Sequence, residues 1–273
     1  MSDQDKGTSD ERGTVLLAQE GAVAVVTLSR PNALNALTWK MYEELEAHLT
    51  YLATAEHIRA IIIRGDGERA LAAGTDISQF QGFSGVDGIA YEQRMDAIID
   101  RLATMPQPVL AAIHGYAVGA GLIIATASDL RYATRAARFG APMARTLGNC
   151  LSLKNYRRLA QALGAMRSKE LLFTSRLLSA EEALQCGFLT AILDEEQLFA
   201  EVFEIAKRIS TLAPLTIWAS KEAFKRIEHE REGDEAAFAD VLARVYGSAD
   251  FAEGVQAYVE KRRPNWRGES QGK

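Results

Sequence analysis

The chain has 273 residues, of which 48% are hydrophobic and 25% are charged, and its formal net charge is -5. This composition is typical of a globular protein with a substantial core. The acidic balance argues against non-specific nucleic-acid binding, which needs a basic face. Cys150 and Cys186 are far apart and belong to no CxxC pair, so neither a disulfide framework nor a zinc site is indicated.

The polar start of the chain, residues 1–12, is expected to be disordered and lacks the apolar stretch of a signal peptide. No uncharged apolar run reaches the roughly 18 residues of a membrane span. We therefore expect no membrane association, and a cytoplasmic location.

Short apolar runs alternate with helical patterns in the first half of the chain. Runs on either side of Glu20-Gly21 predict two strands joined by a tight turn. Thr38 is the expected N-cap of a helix that reaches about Ala53. Residues 60–63 (AIII) are followed by a Gly-Asp-Gly turn and predict a strand buried on both faces of a parallel sheet.

The same order of elements recurs further along. A helix is predicted over 92–102, a strand over 108–113, a helix over 119–127 and a strand over 130–133. This alternation predicts right-handed βαβ crossovers and an α/β fold. After Ser179 almost no strand pattern remains. Helices are predicted over 179–186, 195–212, 215–227, 234–246 and 249–261.

Two segments, 71–77 (LAAGTDI) and 114–121 (HGYAVGAG), place glycines between the end of a strand and a helix. Small residues allow a ligand to approach the backbone, and unpaired N–H groups favour negative charge. Two such turns side by side would aim two N–H groups at one oxygen, the geometry that stabilises an enolate or a tetrahedral oxyanion. Glycine-rich turns are also common as purely structural features.

The second turn is not a dinucleotide fingerprint, because Ile124 occupies the third small-residue position and no ribose-binding acid follows at the required distance. A dehydrogenase is therefore disfavoured. The chain has no G-x-S-x-G elbow, no Walker A motif and no HExxH motif.

The segments 30–37 (RPNALNAL), 72–77 (AAGTDI) and 108–121 (PVLAAIHGYAVGAG) follow one another in an order and spacing that resembles the enoyl-CoA hydratase/isomerase (crotonase) family. The resemblance continues through FGAP, SAEEALQCGFL and EGVQAYVEKRRPNW. It covers nearly the whole chain, from about Val15 to Trp266.

The resemblance implies an α/β spiral of repeated ββα units, with an acyl-CoA site in a core over 13–200. It further implies that residues 201–273 form an all-helical region for oligomerisation, as a homotrimer or a dimer of trimers. The implied ligand is an acyl-CoA substrate, with no cofactor beyond the coenzyme A of that substrate and no metal.

By the same resemblance, Thr75 and Ala120 supply the backbone N–H groups of an oxyanion hole. Because backbone donors do this work, a Thr and an Ala side chain are compatible with it. Arg262 is a further basic candidate for the nucleotide phosphates. The implied coenzyme A contacts are Asn32, Ala33, Leu34, Ala73, Gly74, Asp76, Ile77, Gly119 and Lys261.

Hydratases of this family use two glutamates, and here Ile123 and Met143 stand at those positions. Neither side chain moves a proton, so the two-glutamate mechanism does not carry over. Other members place an aspartate a few residues later, where this chain has Leu151 or Ser152.

Several polar residues are candidates for the missing group. Asn149 would orient a water or a thioester oxygen, and Arg145 would bind a substrate carboxylate. Glu92, with Tyr91 and Asp87, lies in the segment that lines the acyl pocket in the family, although a solvated helix face is the default. Cys150 and His114 are interpreted as structural.

The leading hypothesis is an acyl-CoA lyase or isomerase that keeps the oxyanion hole and uses a non-standard proton-transfer group. Hydration, double-bond shift, hydrolysis and C–C cleavage of a thioester remain open. The alternatives are a non-catalytic acyl-CoA-binding protein or scaffold, and a CoA-thioester hydrolase.

Overall fold

In a computed structural model, the structure describes residues 13–212, 214–229, 243 and 246–265. The expected disordered start at 1–12 lies outside these residues, as does most of the helix predicted over 234–246. In the described part of the chain, no helix is both long enough and apolar enough to cross a membrane.

The strands are β1 (Thr14–Glu20), β2 (Val23–Ser29), β3 (Ala60–Gly65), β4 (Ala70–Ala72), β5 (Val109–Ile113), β6 (Tyr116–Val118), β7 (Leu130–Thr134), β8 (Arg138–Gly140), β9 (Leu178–Ser179) and β10 (Ala191–Leu193). The helices are α1 (Trp39–Thr54), α2 (Gly85–Ala103), α3 (Ala120–Ala127), α4 (Leu153–Leu163), α5 (Ala165–Thr174), α6 (Ala180–Gln185), α7 (Leu198–Ser210), α8 (Pro214–His229) and α9 (Ala249–Val259).

A six-stranded sheet in the order β1-β2-β3-β5-β7-β10 forms the centre of the fold. β1 is antiparallel to β2, and the other neighbours are parallel. Successive residues of β3 point to opposite faces, so Ile61 and Ile63 pack in one apolar cluster and Ile62 in another. The prediction of a strand buried on both faces is confirmed.

The second face of this sheet is covered by α7. Leu198, Val202 and Ala206 recur every four residues on one side of that helix and are buried against Val23, Ile62 and Leu110. The predicted division at residue 200 falls within α7 and stays a prediction.

A second sheet has the order β4-β6-β8-β9. Along the chain, a strand of the first sheet is followed by a short strand of the second and then by a helix, as in β3-β4-α2 and β5-β6-α3. The predicted α/β spiral of repeated ββα units is confirmed, and its repeats bring the ends of β4 and β6 together at one edge.

Two details of the sequence-based prediction are wrong. β10 lies beyond Ser179, where almost no strand pattern was expected; three partly buried residues at a sheet edge are too few to show a periodicity. The helix predicted from Glu92 begins at Gly85, because Ser84 and Asp87 form a capping box at its start.

Candidate active site

The site is built where β4 and β6, which pair in parallel, end side by side. Gly74 (φ +106°) and Gly119 (φ +55°) adopt backbone conformations that favour glycine. A Cβ built on Gly119 would lie 3.4 Å from Gly74 Cα, so the two turns are in contact. A Cβ on Gly121 would lie 2.0 Å from Ala72 O, so only glycine lets α3 pack directly on β4.

Thr75 and Ala120 follow the glycines of this junction, and among the described residues neither amide has a backbone acceptor. Leu37 N donates to Gly74 O (2.8 Å) and Asp76 N donates to Leu37 O (2.8 Å), while the Thr75 amide between them has no backbone acceptor among the described residues. Ala120 is the first residue of α3, and its amide has no carbonyl of a preceding turn to bond. Both residues line one cleft of about 570 Å³.

The turn over 30–37 forms one rim of the cleft and is held by Asn35, which is fully buried. Its Oδ1 accepts from Arg30 N (2.9 Å) and its Nδ2 donates to Ala70 O (2.8 Å). Ala73 N donates to Leu34 O (2.9 Å), which ties this rim to the loop of Thr75.

The cleft brings together most of the residues predicted for the site. Those that line it are Asn32, Ala33, Leu34, Ala73, Gly74, Thr75, Asp76, Ile77, Glu92, Gly119, Ala120, Ile123, Met143 and Asn149. Asp76 also forms an ion pair with Arg30 (2.8 Å), so both charges at this rim are already partnered.

Lys261 and Arg145, which were predicted for the site, do not line the cleft. Lys261 is exposed beyond the end of α9, and the neighbouring Arg262 is engaged in ion pairs with Glu253 and Glu260. Arg145 is exposed, because the turn after Pro142 folds back and directs it outward. Within one chain, neither Lys261 nor Arg145 lies where it would contact a ligand in the cleft.

Ile123 and Met143 face the same cleft, together with Leu147 and Leu151. Ile123 is 3% exposed. At Ile123 and Met143 the cleft therefore offers only hydrocarbon and thioether surface.

Glu92 brings a buried carboxyl group to the cleft, and its residue is 4% exposed. Ser152 N donates to its Oε2 (3.0 Å) and the Tyr246 hydroxyl donates to its Oε1. Burial raises the pKa of Glu92 from 4.5 to about 8, the hydrogen bond from Tyr246 opposes this, and the charge of Asp96 one turn along α2 adds to it. Burial thus favours the protonated form of Glu92 near neutral pH.

The default expectation of a solvated helix face is wrong for Glu92 and correct for Asp87. Asp87 is exposed and serves the capping box of α2. Glu92 lies on the buried face of the same helix with Gly88 and Met95, covered by the start of α4 and by Tyr246.

A chain of hydroxyl groups supports the Thr75 loop. Thr75 Oγ1 shares hydrogen bonds with Tyr42 OH (2.7 Å) and Tyr91 OH (2.9 Å). Burial raises the pKa of Tyr42 to about 12 and that of Tyr91 well above its usual value, so both stay neutral. Two anchors on its side chain fix the direction of the Thr75 amide.

Sequence reasoning missed Tyr42 and Tyr246. Tyr42 falls on the apolar face of α1, where a tyrosine looks like any core residue. Tyr246 was predicted only as the end of a helix, and its contact with Glu92 spans 154 residues of sequence. No local pattern marks either residue.

The structural interpretation of Cys150 and His114 agrees with the structure. Burial, followed by the charge of Glu92, raises the pKa of the Cys150 thiol to about 12, which makes a thiolate nucleophile unfavourable. His114 lies outside the cleft with its Nε2 3.2 Å from Glu195 O. Among the described residues, no group of three or more His, Cys, Asp or Glu side chains could hold a metal ion.

Comparison with known proteins now decides the family. The family model described as enoyl-CoA hydratase/isomerase matches residues 18–269. The chain belongs to the enoyl-CoA hydratase/isomerase family. Within it, the chain is 32% identical to a short-chain-enoyl-CoA hydratase of Clostridium acetobutylicum over 254 residues, which are 93% of this chain and 97% of that protein.

Solved structures of the family show the same fold. A methylmalonyl-CoA decarboxylase in complex with 2-nitronate-propionyl-CoA aligns with a TM-score of 0.85 at 29% identity, over 94% of this chain and 99% of that one. An enoyl-CoA hydratase/carnithine racemase from Magnetospirillum magneticum aligns with a TM-score of 0.76 at 31% identity, over 94% and 96%.

Proposed function

We propose that this protein is an acyl-CoA lyase or isomerase that holds a thioester enolate at the amides of Thr75 and Ala120 and moves one proton with Glu92. The observation that carries the proposal is a buried carboxyl group, with a pKa raised by burial, in the same cleft as two backbone N–H groups without backbone partners among the described residues. Coenzyme A would enter as part of the substrate, along the rim formed by residues 32–34 and the loop 73–77, and no further cofactor is proposed.

The chemistry follows from the protonation state of Glu92. An enolate oxygen at the two amides would gain charge-assisted hydrogen bonds that a neutral thioester does not form. The enolate α-carbon would then take the proton of Glu92, and its carbanion electron pair would form the new C–H bond. A group whose pKa lies near neutral pH is suited to give and regain this proton.

A buried carboxyl group at this place counts against a purely non-catalytic acyl-CoA-binding protein. Burying an ionisable group without a cation is costly, and within the described residues no cation pairs with Glu92. Such groups concentrate at functional sites. A thioester hydrolase stays an alternative, because Glu92 could also serve an attacking water.

A second candidate reaction is the decarboxylation of a 2-carboxyacyl-CoA. Ile123 and Met143 replace two carboxylates that would repel a carboxylate on the α-carbon, and a solved decarboxylase shares the fold with a TM-score of 0.85. The bond from the α-carbon to the carboxylate would break, its electron pair would form the enolate, CO2 would leave, and Glu92 would protonate the α-carbon.

The test is solvent deuterium exchange at the α-carbon of saturated acyl-CoAs, followed by NMR, together with turnover of crotonyl-CoA, substituted 2-enoyl-CoAs and 2-carboxyacyl-CoAs. Glu92→Gln is expected to lower exchange and turnover by roughly 10²- to 10⁴-fold. Glu43→Gln is the matched control, because the Glu43 side chain is 62% exposed on α1. Tight acyl-CoA binding without any exchange or turnover would establish the non-catalytic alternative.

The assembly as a homotrimer or a dimer of trimers, and the cytoplasmic location, stay predictions. Met166 and Phe173 on α5 are each 78% exposed and support a contact between subunits. Light scattering coupled to size exclusion tests the assembly.

A further inference from the structure

We propose that Tyr246 is a positioning residue for Glu92, so that the C-terminal helical region completes the catalytic site. The inference rests on the function proposed for Glu92 and concerns how the acid is held. Tyr246 comes from the far end of the chain, and its side chain is nevertheless enclosed next to the cleft at 1% exposure.

The Glu92 carboxyl group is held from two sides by distant parts of the chain. Ser152 N binds Oε2 from the start of α4, and the Tyr246 hydroxyl binds Oε1 from the C-terminal region. With both oxygens held, the carboxyl group has one orientation. Without the Tyr246 hydroxyl, the carboxyl group would be free to rotate about the single remaining bond.

Two glycines of α2 leave the space in which Ala243 and Tyr246 pack. A Cβ on Gly88, one turn before Glu92, would lie 2.0 Å from Tyr246 Cγ, and a Cβ on Gly85 would lie 2.4 Å from Ala243 O. Only glycine at these positions lets Ala243 and Tyr246 lie directly on the helix. Both the glycines of α2 and Tyr246 itself are therefore needed for the Tyr246 hydroxyl to reach Glu92.

Aromatic rings hold the Tyr246 side chain in this position. The centroid of the Phe251 ring of α9 lies 4.9 Å from that of the Tyr246 ring at 62°, and the centroid of the Tyr91 ring lies 6.3 Å away at 59°. Phe251 in turn packs at 6.1 Å against Phe80. The hydroxyl is therefore aimed by packing that involves α9, and the geometry of the acid depends on how the C-terminal region docks.

The hydrogen bond also affects how firmly Glu92 holds its proton. Burial and the charge of Asp96 raise the pKa of Glu92, whereas the donors Tyr246 and Ser152 lower it. The Cys150 thiol and the hydroxyls of Tyr42, Tyr91 and Tyr156 also lie near Glu92, and burial raises the pKa of each, which keeps them neutral. If the hydrogen bond from Tyr246 is lost, burial and the charge of Asp96 are less opposed. The pKa of Glu92 would then rise, and Glu92 would bind its proton more tightly.

The experiment compares Tyr246→Phe with the unmodified protein in two assays. The first is kcat and KM as functions of pH; the second is infrared titration of the protonated carboxyl band that Glu92→Gln removes. Because the Tyr246 hydroxyl stabilises the charged form of Glu92, its loss is expected to raise the midpoint by roughly one to two pH units, with a fall in kcat larger than the change in KM. Tyr132→Phe, a buried tyrosine outside the cleft, is the control.

The outcomes separate this inference from the proposed function. If Glu92→Gln keeps full exchange activity, the role of Glu92 fails. If Glu92→Gln is inactive while Tyr246→Phe keeps both the midpoint and kcat, only the positioning role of Tyr246 is overturned. Gly88→Ala is a second variant that keeps the hydroxyl but displaces the ring, and it is expected to shift the midpoint in the same upward direction.

Discussion

Replacing Glu92 with glutamine is expected to stabilise the fold in alkaline solution and to have little effect in acid. The folded protein keeps the proton of Glu92 up to about pH 8, whereas the unfolded chain releases it near 4.5. Between these values the unfolded state binds fewer protons, so the free energy of unfolding falls as pH rises. Above the folded pKa the buried carboxylate is charged and its destabilising effect is complete.

The size of the effect follows from the same two pKa values. The rise from 4.5 to about 8 corresponds to about 5 kcal/mol, at roughly 1.4 kcal/mol for each pH unit. This is the ceiling for Glu92→Gln, since relaxation around the charge reduces it. Glutamine also alters the hydrogen bonds to Tyr246 and Ser152, but that change is the same at both pH values and cancels in the comparison.

The assay is denaturant unfolding of both proteins at about pH 5 and about pH 9, at one protein concentration because an assembly would couple to folding. Glu43→Gln makes the same chemical change on a 62% exposed side chain and is expected to show little difference between the two conditions. An equal effect of Glu92→Gln at both pH values would refute the buried, protonated state of Glu92.

Three further predictions follow from the geometry. Asp96→Asn keeps the acceptor of the hydrogen bonds from Ser152 and Asn155 but removes a like charge, so the midpoint of Glu92 should fall by roughly one pH unit in a pH–rate profile. Gly121→Ala places a Cβ 2.0 Å from Ala72 O, so it should cost about 1–3 kcal/mol in denaturant unfolding and lower α-carbon exchange. Cys150 should resist alkylation near neutral pH, because burial raises the pKa of its thiol to about 12; mass spectrometry reads the extent of alkylation.

Each of these three predictions has a control or an outcome that would contradict it. Asp100→Asn, one turn further along α2 and paired with Lys154, should leave the midpoint of Glu92 in place. Gly121→Ala with full activity would show that α3 can shift without moving the Ala120 amide. Cys186, which is partly exposed, should be alkylated before Cys150, and the opposite order would contradict the burial argument.

Much of the framework was predictable because local rules decide it. Residues 60–63 predicted a strand buried on both faces, because hydrophobic residues at every position leave no face for solvent. Thr38 capped α1 as predicted, because its side chain accepts from Met41 N. The glycines of the two turns were visible as residues that allow unusual backbone angles.

Several elements of the fold were not predicted from the sequence. β10 has three residues and joins the sheet only because β7 offers an open edge. The helices α4 and α5 also went unpredicted, and Ser152, weighed only as a possible catalytic position, proved to be the N-cap of α4.

The family resemblance, the α/β core and the pair of glycine turns that carry Thr75 and Ala120 were all predicted from the sequence alone, and the ββα repeats were implied by that resemblance. The sequence also showed that Ile123 and Met143 cannot move a proton. The tertiary structure alone distinguished Glu92 from Asp87, which lie on one helix and look alike in sequence. The reason is that burial and hydrogen bonds set the pKa of a carboxyl group, and the residues that cover Glu92 are 60 and 154 positions away.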